Sequence, residues 1–290
     1  MPLNPAPDLP PPFAPDPSRV GPQTPARWPA AQHWHRPVFI LFLVWLAVGW
    51  VTLALGIDWA SDNGWAVALF LVLACATTLV SLARRLPLQN VLAAAGVIAA
   101  VAGVIELVSV FTDIPFGPRV YTGKLGSRLF HELPWPMPLL WVVVVINGRG
   151  IARLILRPWR KTTFYGFWVI GLTCLLAVGF DLSLEPFATQ SQRFWLWHAP
   201  KSVPAWGSAP WVNFLAWFVT ALAALGFATP WLLNKFPVKQ PTDYHPLALW
   251  MLLNLLFATG CAQHRIWPAL VFNLAFNAAV VIYTLRGGRW

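Results

Sequence analysis

Eight long runs of uncharged, mostly apolar residues limit what this chain can fold into. A run of about 20 apolar residues is long enough to cross the hydrocarbon core of a bilayer as an α-helix. A transmembrane β-barrel would instead show shorter segments in which polar and apolar residues alternate. The sequence therefore predicts an all-α, polytopic transmembrane bundle of about eight spans, with seven or nine as alternatives. The predicted spans are residues 38–57, 64–82, 90–111, 138–156, 164–182, 211–233, 246–263 and 266–285.

The number and placement of charges support a membrane protein. Charged residues make up only 10% of the chain, whereas an ordinary soluble domain carries about 25%. The net charge of +10 does not indicate nucleic-acid binding, because the Lys and Arg residues lie in the short segments between the apolar runs. Charges placed in this way orient membrane helices. A soluble globular enzyme is excluded, and no nucleic-acid partner is expected.

Residues 1–37 form a separate region that contains 12 prolines. Proline at this density disrupts helices and sheets, and the segment has few apolar residues to bury. We expect a disordered leader over residues 1–37, followed by a helical membrane domain over residues 38–290. His33 and His35 are expected to be solvated within this leader.

The distribution of positive charge predicts the orientation of the bundle. With eight spans and the N-terminus inside, the inner side receives 14 of the 20 Lys and Arg residues. An excess of positive charge is typical of the cytoplasmic side. We therefore expect both termini in the cytoplasm and the chain in the inner (plasma) membrane of a cell.

Seven of the ten acidic residues fall in the predicted outer half. The two longest loops between spans, at about residues 112–137 and 183–210, lie on the same side, and long loops often carry function. We therefore expect a functional site near the outer membrane–water interface. The seven acids are Asp58, Asp62, Glu106, Asp113, Glu132, Asp181 and Glu185.

Glu106 lies inside the third predicted span, roughly a turn and a half from its outer end. A carboxyl group in hydrocarbon is costly, usually faces the bundle interior and usually has a function. A buried carboxylic acid that keeps its proton is suited to protonating a substrate. The alternative is a structural role in which Glu106 bonds to a neighbouring helix or to Arg149.

Asp181 and Glu185 are four residues apart at the end of the fifth span. They share a helix face if the helix continues as far as Pro186. Asp58 and Asp62 have the same spacing, and aspartate pairs of this kind hold Mg²⁺ against a diphosphate in membrane prenyltransferases. Isoprenoid diphosphates are cytoplasmic, however, and both pairs are predicted outside. We expect Asp58 and Asp62 to be solvated, and Asp181 to be either structural or functional.

Amide side chains recur within the predicted spans. Asn213 and Trp217 are four residues apart at the start of the sixth span, so they share a helix face. For Asn254, Asn273 and Asn277 we expect hydrogen bonds between helices.

The sequence lacks the motifs of several enzyme classes. The four histidines beyond the leader are scattered singly, whereas di-iron membrane oxygenases need clustered His ligands. There is no CxxC pair, GxSxG elbow, P-loop or GxGxxG motif. We expect no metal and no organic cofactor, so an enzyme here would rely on carboxyl groups, water and aromatic faces.

Three stretches of the sequence carry motifs of a known family. The first outer loop contains Asp113-Ile114-Pro115-Phe116-Gly117, Tyr121-Thr122, Leu125-Gly126 and the stretch from Pro134 to Trp141. The later stretches contain Asp181 through Glu185-Pro186, Phe194-Trp195, Pro210, Asn213-Phe214 and Trp217-Phe218. Over roughly residues 100–235, about half of the chain, the sequence thus resembles the CruF-type integral-membrane carotenoid biosynthesis proteins.

The resemblance implies a bacterial or archaeal membrane enzyme that acts on the end groups of a carotenoid or related isoprenoid lipid. The best-known family activity is hydration of the terminal C=C bond of an acyclic (ψ) end group to a tertiary alcohol. It also implies a glycosyltransferase partner that modifies the new hydroxyl group.

Hydration of an alkene needs a proton donor, a stabilised tertiary cation and a directed water. Under this resemblance, Glu106 would protonate the alkene. Asp181 would orient or deprotonate the water, and Glu185 would be the second candidate for this role. The aromatic faces of Phe116, Tyr121 and Trp217 would stabilise the cation, Asn213 would hold the water, and Asp113 is expected to bind substrate.

Three alternatives remain open at this point. An acid-catalysed cyclase would share the protonation step but exclude water, and a dry pocket around Glu106 would favour it. A non-catalytic carrier or assembly protein for lipid or carotenoid would leave Glu106 and Asp181 without a common cavity. A transporter is less favoured, because the sequence shows no internal repeat.

Overall fold

The computed structural model describes residues 30–57, 64–198, 200, 202–233 and 241–290. Within this part, eight α-helices are long and apolar enough to cross a membrane. The predicted all-α transmembrane fold is therefore confirmed. The helices are α1 (Ala30–Ala54), α2 (Trp65–Ala83), α3 (Leu88–Thr112), α4 (Met137–Ile155), α5 (Tyr165–Pro186), α6 (Trp211–Leu232), α7 (His245–Gln263) and α8 (Trp267–Gly288).

The first helix begins earlier than the sequence predicts. α1 starts at Ala30 and contains Pro37, so the last residues of the expected leader are helical. His35 is not simply solvated, because its Nε2 lies 3.2 Å from Nδ1 of His245. This contact with α7 favours the helical conformation despite the proline. Residues 1–29, Asp58 and Asp62 lie outside the described residues.

The fifth helix also extends beyond its prediction. α5 continues to Pro186 and is followed by a π-helical turn, Phe187–Ser191. Proline lacks an N–H group but does not prevent the preceding turns from forming. Both Asp181 and Glu185 are therefore helical, and their spacing of four residues places them on the same face of α5.

α4 is the central helix of the bundle and packs against α2, α3, α5, α7 and α8. α3 packs along α6, and α5 lies between α4 and α6. Small residues allow some of these contacts, as is common between membrane helices. At Gly287 of α8, an added Cβ would lie 2.1 Å from the backbone oxygen of Leu154.

One end of the bundle is covered by two loops, which we call the capped end. Its loops are residues 113–136, between α3 and α4, and residues 192–198, after α5. Strand β1 (Arg119–Tyr121) of the first loop pairs antiparallel with β4 (Trp195–Trp197) of the second. Two further antiparallel pairings among the described residues have only two residues in each strand. β2 (Arg128–Leu129) pairs with β3 (Leu133–Pro134), and β5 (Ala205–Trp206) pairs with β6 (Ala209–Pro210).

Candidate active site

Glu106 of α3 is fully buried near the capped end and accepts hydrogen bonds from three side chains. Tyr121 Oη donates to Oε2 at 2.9 Å, and Trp141 Nε1 donates to Oε1 at 3.0 Å. The third partner is Arg119, which forms a salt bridge with Oε2. The sequence offered Arg149 as the partner, but Arg149 donates to the backbone oxygen of Leu232 instead. Glu106 is thus part of a buried ion pair, not an isolated acid.

Arg119 and Tyr121 reach Glu106 together because alternate residues of a strand point to the same side. Both are buried. Burial alone would lower the pKa of Arg119, but the charge of Glu106 outweighs it and raises that pKa above its ordinary value. Burial raises the pKa of Tyr121 well above its ordinary value. The guanidinium therefore stays charged, and the phenol stays a hydrogen-bond donor.

Asp181 and Glu185 of α5 are brought together by Asn213 of α6. Asn213 Nδ2 donates to Asp181 Oδ2 at 2.6 Å and lies 3.4 Å from Glu185 Oε1. All three side chains are at most 1% exposed. Two carboxyl groups therefore meet at one amide nitrogen in the interior of the bundle.

Two tryptophans of β4 complete the surroundings of Glu185. Trp195 Nε1 donates to Oε1 at 3.2 Å, and Trp197 Nε1 donates to Oε2 at 3.0 Å. The Trp197 ring also lies 5.5 Å from Cζ of Arg119, within cation–π range. Because β4 pairs with β1, the strand pairing connects the Glu106 ion pair to the Asp181–Glu185 pair. We call these three acids with Arg119 the acid cluster.

Aromatic rings border the acid cluster. The rings of Trp141 and Trp217 stack with centroids 4.1 Å apart. Phe116 is fully buried, and its ring lies 4.5 Å from Cζ of Arg119 and 6.3 Å from the Trp141 ring. The electron-rich faces of such rings attract positive charge.

Five buried polar atoms of the acid cluster and of α6 have no hydrogen-bond partner among the described residues. Buried polar groups are normally hydrogen-bonded, and those that are not call for an explanation. A polar ligand such as water has the chemistry to satisfy them, since it both donates and accepts. The unpaired atoms are Arg119 Nε, Asp181 Oδ1, Asn213 Oδ1, Trp217 Nε1 and Thr220 Oγ1.

The structure brings seven of the eight residues predicted for the site into this region, and Asp113 is the exception. Asp113 follows the last residue of α3 with a φ of 61°, and it is exposed. The seven are Glu106, Asp181, Glu185, Phe116, Tyr121, Asn213 and Trp217. Their proximity does not by itself test the chemical roles expected of them.

Sequence reasoning missed four residues that contact the acid cluster. Arg119 lies two residues before Tyr121 in an outer loop, and only the strand β1 shows that the two side chains share a face. Trp141 and Trp195 stand within the motifs that carry the family resemblance, and Trp197 follows two residues after Trp195, but the sequence assigns no role to any of the three. The only available signal was their place inside or next to the motifs quoted above.

An apolar cavity of about 50 Å³ lies next to the acid cluster. Side chains of α2, α4, α5 and α7 line it, and all are apolar. Trp195 lines the cavity and also donates to Glu185, so its ring lies between the two. Neither Glu106 nor Asp181 lines this cavity.

No group of three or more His, Cys, Asp or Glu side chains within the described residues is placed to hold a metal ion. The expected interhelical amide bonds are present, since Asn273 Nδ2 donates to the backbone oxygen of Asn254 at 3.2 Å. Asn277 Oδ1 accepts from Trp250 Nε1 at 3.0 Å.

Comparison with known proteins gives two matches. A family model described as "Carotenoid biosynthesis protein" matches residues 64–280, which include every residue of the acid cluster. The chain is also similar to bisanhydrobacterioruberin hydratase of Haloarcula japonica, at 28% identity over 121 residues. That match spans 42% of this chain and only 39% of the relative. No solved structure matches the chain.

Proposed function

Because the chain belongs to the carotenoid biosynthesis protein family, we propose that it is a membrane enzyme that hydrates a carotenoid. The reaction would add water to the terminal C=C bond of an acyclic end group and give a tertiary alcohol. The name of the Haloarcula relative, a hydratase, supports this reaction class.

The observation that carries the proposal is the pair of buried carboxyl groups at Asn213. The acid cluster holds three carboxyl groups and one guanidinium group. Full ionisation would therefore leave two negative charges uncompensated in a buried site, at a cost of several kcal/mol per ion. Since Glu106 has Arg119 as its cationic partner, we assign the exchangeable proton to the Asp181–Glu185 pair.

The reaction then needs only this proton and one water. The carboxyl proton adds to the CH carbon of the terminal alkene, and positive charge forms on the carbon that carries two methyl groups. The oxygen of water bonds to that carbon, and one proton of the water returns to the carboxylate. The carboxyl pair is restored at the end, and no electrons are gained or lost. Asn213 orients the pair, and the unpaired Asp181 Oδ1 is free to bind the water.

Glu106 takes a different role in this proposal from the one that its position alone predicts. As the partner of Arg119, with Tyr121 and Trp141 as further donors, it balances charge and holds β1 in place. The stacked rings of Trp141 and Trp217 provide aromatic faces near the cation. Phe116 contributes a further face through its contact with Arg119.

Cyclisation of the end group is the second candidate, because the adjacent cavity is lined only by apolar side chains. A cyclase would use the same protonation but would trap the cation with a second C=C bond of the substrate. A dry, hydrocarbon-lined space favours that fate over capture by water.

The proposed orientation places the capped end outside and both termini in the cytoplasm, in the plasma membrane. The positive charges of the sequence support it. A carotenoid lying across the bilayer would then present its end group to the acid cluster. The tertiary hydroxyl that forms there is a suitable acceptor for a glycosyltransferase.

The test is to express the chain in bacteria that accumulate acyclic carotenoids and to analyse the pigments by mass spectrometry. A product heavier by one water supports hydration, provided that Asp181→Asn abolishes it at equal amounts of inserted protein. A product of unchanged mass with shifted absorption supports cyclisation. Unchanged pigments, with the protein inserted and stable, would contradict both and favour a carrier or assembly role.

A further inference from the structure

We propose that Thr220 of α6 is a positioning residue. Its hydroxyl group, Trp217 Nε1 and Asn213 Oδ1 hold a short file of bound waters along α6, and the water of this file nearest Asp181 attacks the carbocation. This inference rests on the proposed hydration and adds a water-binding path along one face of α6. Thr220 is not among the residues that the sequence motifs indicated.

The hydroxyl group of Thr220 behaves differently from those of other threonines in the helices. A threonine inside a helix commonly donates to the carbonyl group four residues earlier. Thr220 is fully buried, yet its Oγ1 has no partner among the described residues. Seven other threonines of the α-helices do donate to that carbonyl group, and Thr77 Oγ1 instead lies 3.4 Å from His245 Nε2. The seven are Thr52, Thr78, Thr112, Thr173, Thr229, Thr259 and Thr284.

The other unpaired atoms of α6 lie on the same face of the helix. Asn213, Trp217 and Thr220 follow the spacing i, i+4, i+7, which aligns side chains along one face. At a rise of 1.5 Å per residue, the three span about 10 Å along the helix axis. Asn213 also binds Asp181, whose Oδ1 is unpaired. The face therefore leads from Thr220 to the carboxyl group that takes part in the proposed reaction.

These groups provide what a bound water requires. A buried water typically makes two to four hydrogen bonds. Trp217 Nε1 is a donor, Asn213 Oδ1 is an acceptor, and the Thr220 hydroxyl is both. A hydrocarbon end group would leave all of them unsatisfied. The chemistry of the face therefore selects a water or the alcohol oxygen that the water becomes.

A positioned water decides between two fates of the carbocation. The cation either gains a C–O bond to water, whose proton passes to the carboxylate, or returns a C–H proton to the carboxylate and becomes an alkene again. In D₂O the second fate leaves a deuterium in a carotenoid that has gained no water. Both fates share the protonation step. The ratio of deuterium exchange to hydration therefore reports only how well the water is positioned to capture the cation.

The experiment incubates membranes containing the full chain with an acyclic carotenoid in D₂O and measures both products by mass spectrometry. The variant is Thr220→Val, which keeps the shape of the side chain but removes the hydroxyl group. The matched control is Thr284→Val, because Thr284 is fully buried but donates to Val280 O. We expect Thr220→Val to raise the exchange-to-hydration ratio about fivefold to tenfold, the effect of one lost hydrogen bond. Thr284→Val and Thr220→Ser should keep the wild-type ratio.

The outcomes separate this inference from the proposed function. If the wild-type protein hydrates the carotenoid and Thr220→Val keeps the wild-type ratio, Thr220 does not position the water. If the wild-type protein exchanges deuterium but forms no water adduct, the proposed hydration fails, and this inference fails with it. The ratio compares two products of one sample, so it does not depend on how much of a variant folds. Thr220→Ala provides a second variant should Thr220→Val fail to insert.

Discussion

The indole rings of Trp141 and Trp217 stack 4.1 Å apart, with their planes inclined by 29°. Trp141 also donates to Glu106, whereas the N–H group of Trp217 has no partner among the described residues. One ring is thus fixed by the buried ion pair, and the other presents a free donor on α6. The stack joins the structural part of the acid cluster to the part that we propose is reactive.

Replacing Trp217 should separate its packing role from its donor role. Trp217→Phe keeps an aromatic ring in the stack, whereas Trp217→Leu loses the aromatic contact, worth about 0.5–1.5 kcal/mol beyond the area buried. We expect Trp217→Leu to be the less stable variant in thermal unfolding, and both to hydrate more slowly because both lack the N–H group. Trp211→Leu on the same helix is the control, since Trp211 is 51% exposed. Equal stability of the Phe and Leu variants would contradict the stacking role.

Removing the exchangeable proton should abolish activity without unfolding the protein. We expect Asp181→Asn and Glu185→Gln each to lower the hydration rate by about 10²-fold or more, the usual contribution of a general acid or base. Asp113→Asn should retain the wild-type rate, because Asp113 is exposed whereas the residues of the acid cluster are buried. Rates per inserted protein provide the measurement. Full activity of both cluster variants would exclude these residues as the acid.

Removing one partner of the buried Glu106–Arg119 ion pair should lower the free energy of unfolding more than removing both partners. Arg119→Gln leaves Glu106 as an uncompensated buried charge and should lower the free energy of unfolding by about 3–5 kcal/mol. The double variant Glu106→Gln, Arg119→Gln removes both charges and should recover much of that loss. Unfolding of the three proteins in detergent gives the coupling between the two residues. Additive losses would mean that the two side chains do not depend on each other.

Contact between α4 and α8 depends on the absence of a side chain at Gly287. A Cβ there would lie 2.1 Å from the Leu154 backbone oxygen, which cannot move away independently of its helix. We expect Gly287→Ala to lower the melting temperature measured in detergent. Gly226→Ala in α6 is the control, because a Cβ there meets nothing within 4 Å. The control should be neutral, or more stable by up to about 1 kcal/mol because alanine favours the helix. If Gly287→Ala matches this control, the close packing is not essential.

Much of the helical bundle could be predicted because it depends on local properties. The length of the apolar runs identifies eight helices within a few residues, as at α6 and α7. α1 could not be bounded in this way, because its first turns contact α7 through His35 and His245, which are distant in the sequence. The same limit applies wherever tertiary contacts overrule the local preference of a residue such as Pro37.

The acids of the site could be predicted, but their partners could not. Spacing of four residues places Asp181 and Glu185 on one face of α5 without any knowledge of the fold. The pairing of Glu106 with Arg119 instead requires a turn at Gly117 that returns the chain to α3 as a strand. The N–H groups of Trp195 and Trp197 reach Glu185 only because β4 pairs with β1, and no local pattern in the sequence encodes that register.

The pairing of β1 with β4 also has an evolutionary consequence. Arg119 stands opposite Trp197, and Tyr121 stands opposite Trp195, so each position of one loop has a physical neighbour in the other. A substitution at Arg119 removes the charge that Trp197 faces, and selection should then favour a matching change at Trp197. Among homologues these two positions should covary, although 78 residues separate them in the chain, and an exchange of one loop alone between homologues should be tolerated less well than an exchange of both.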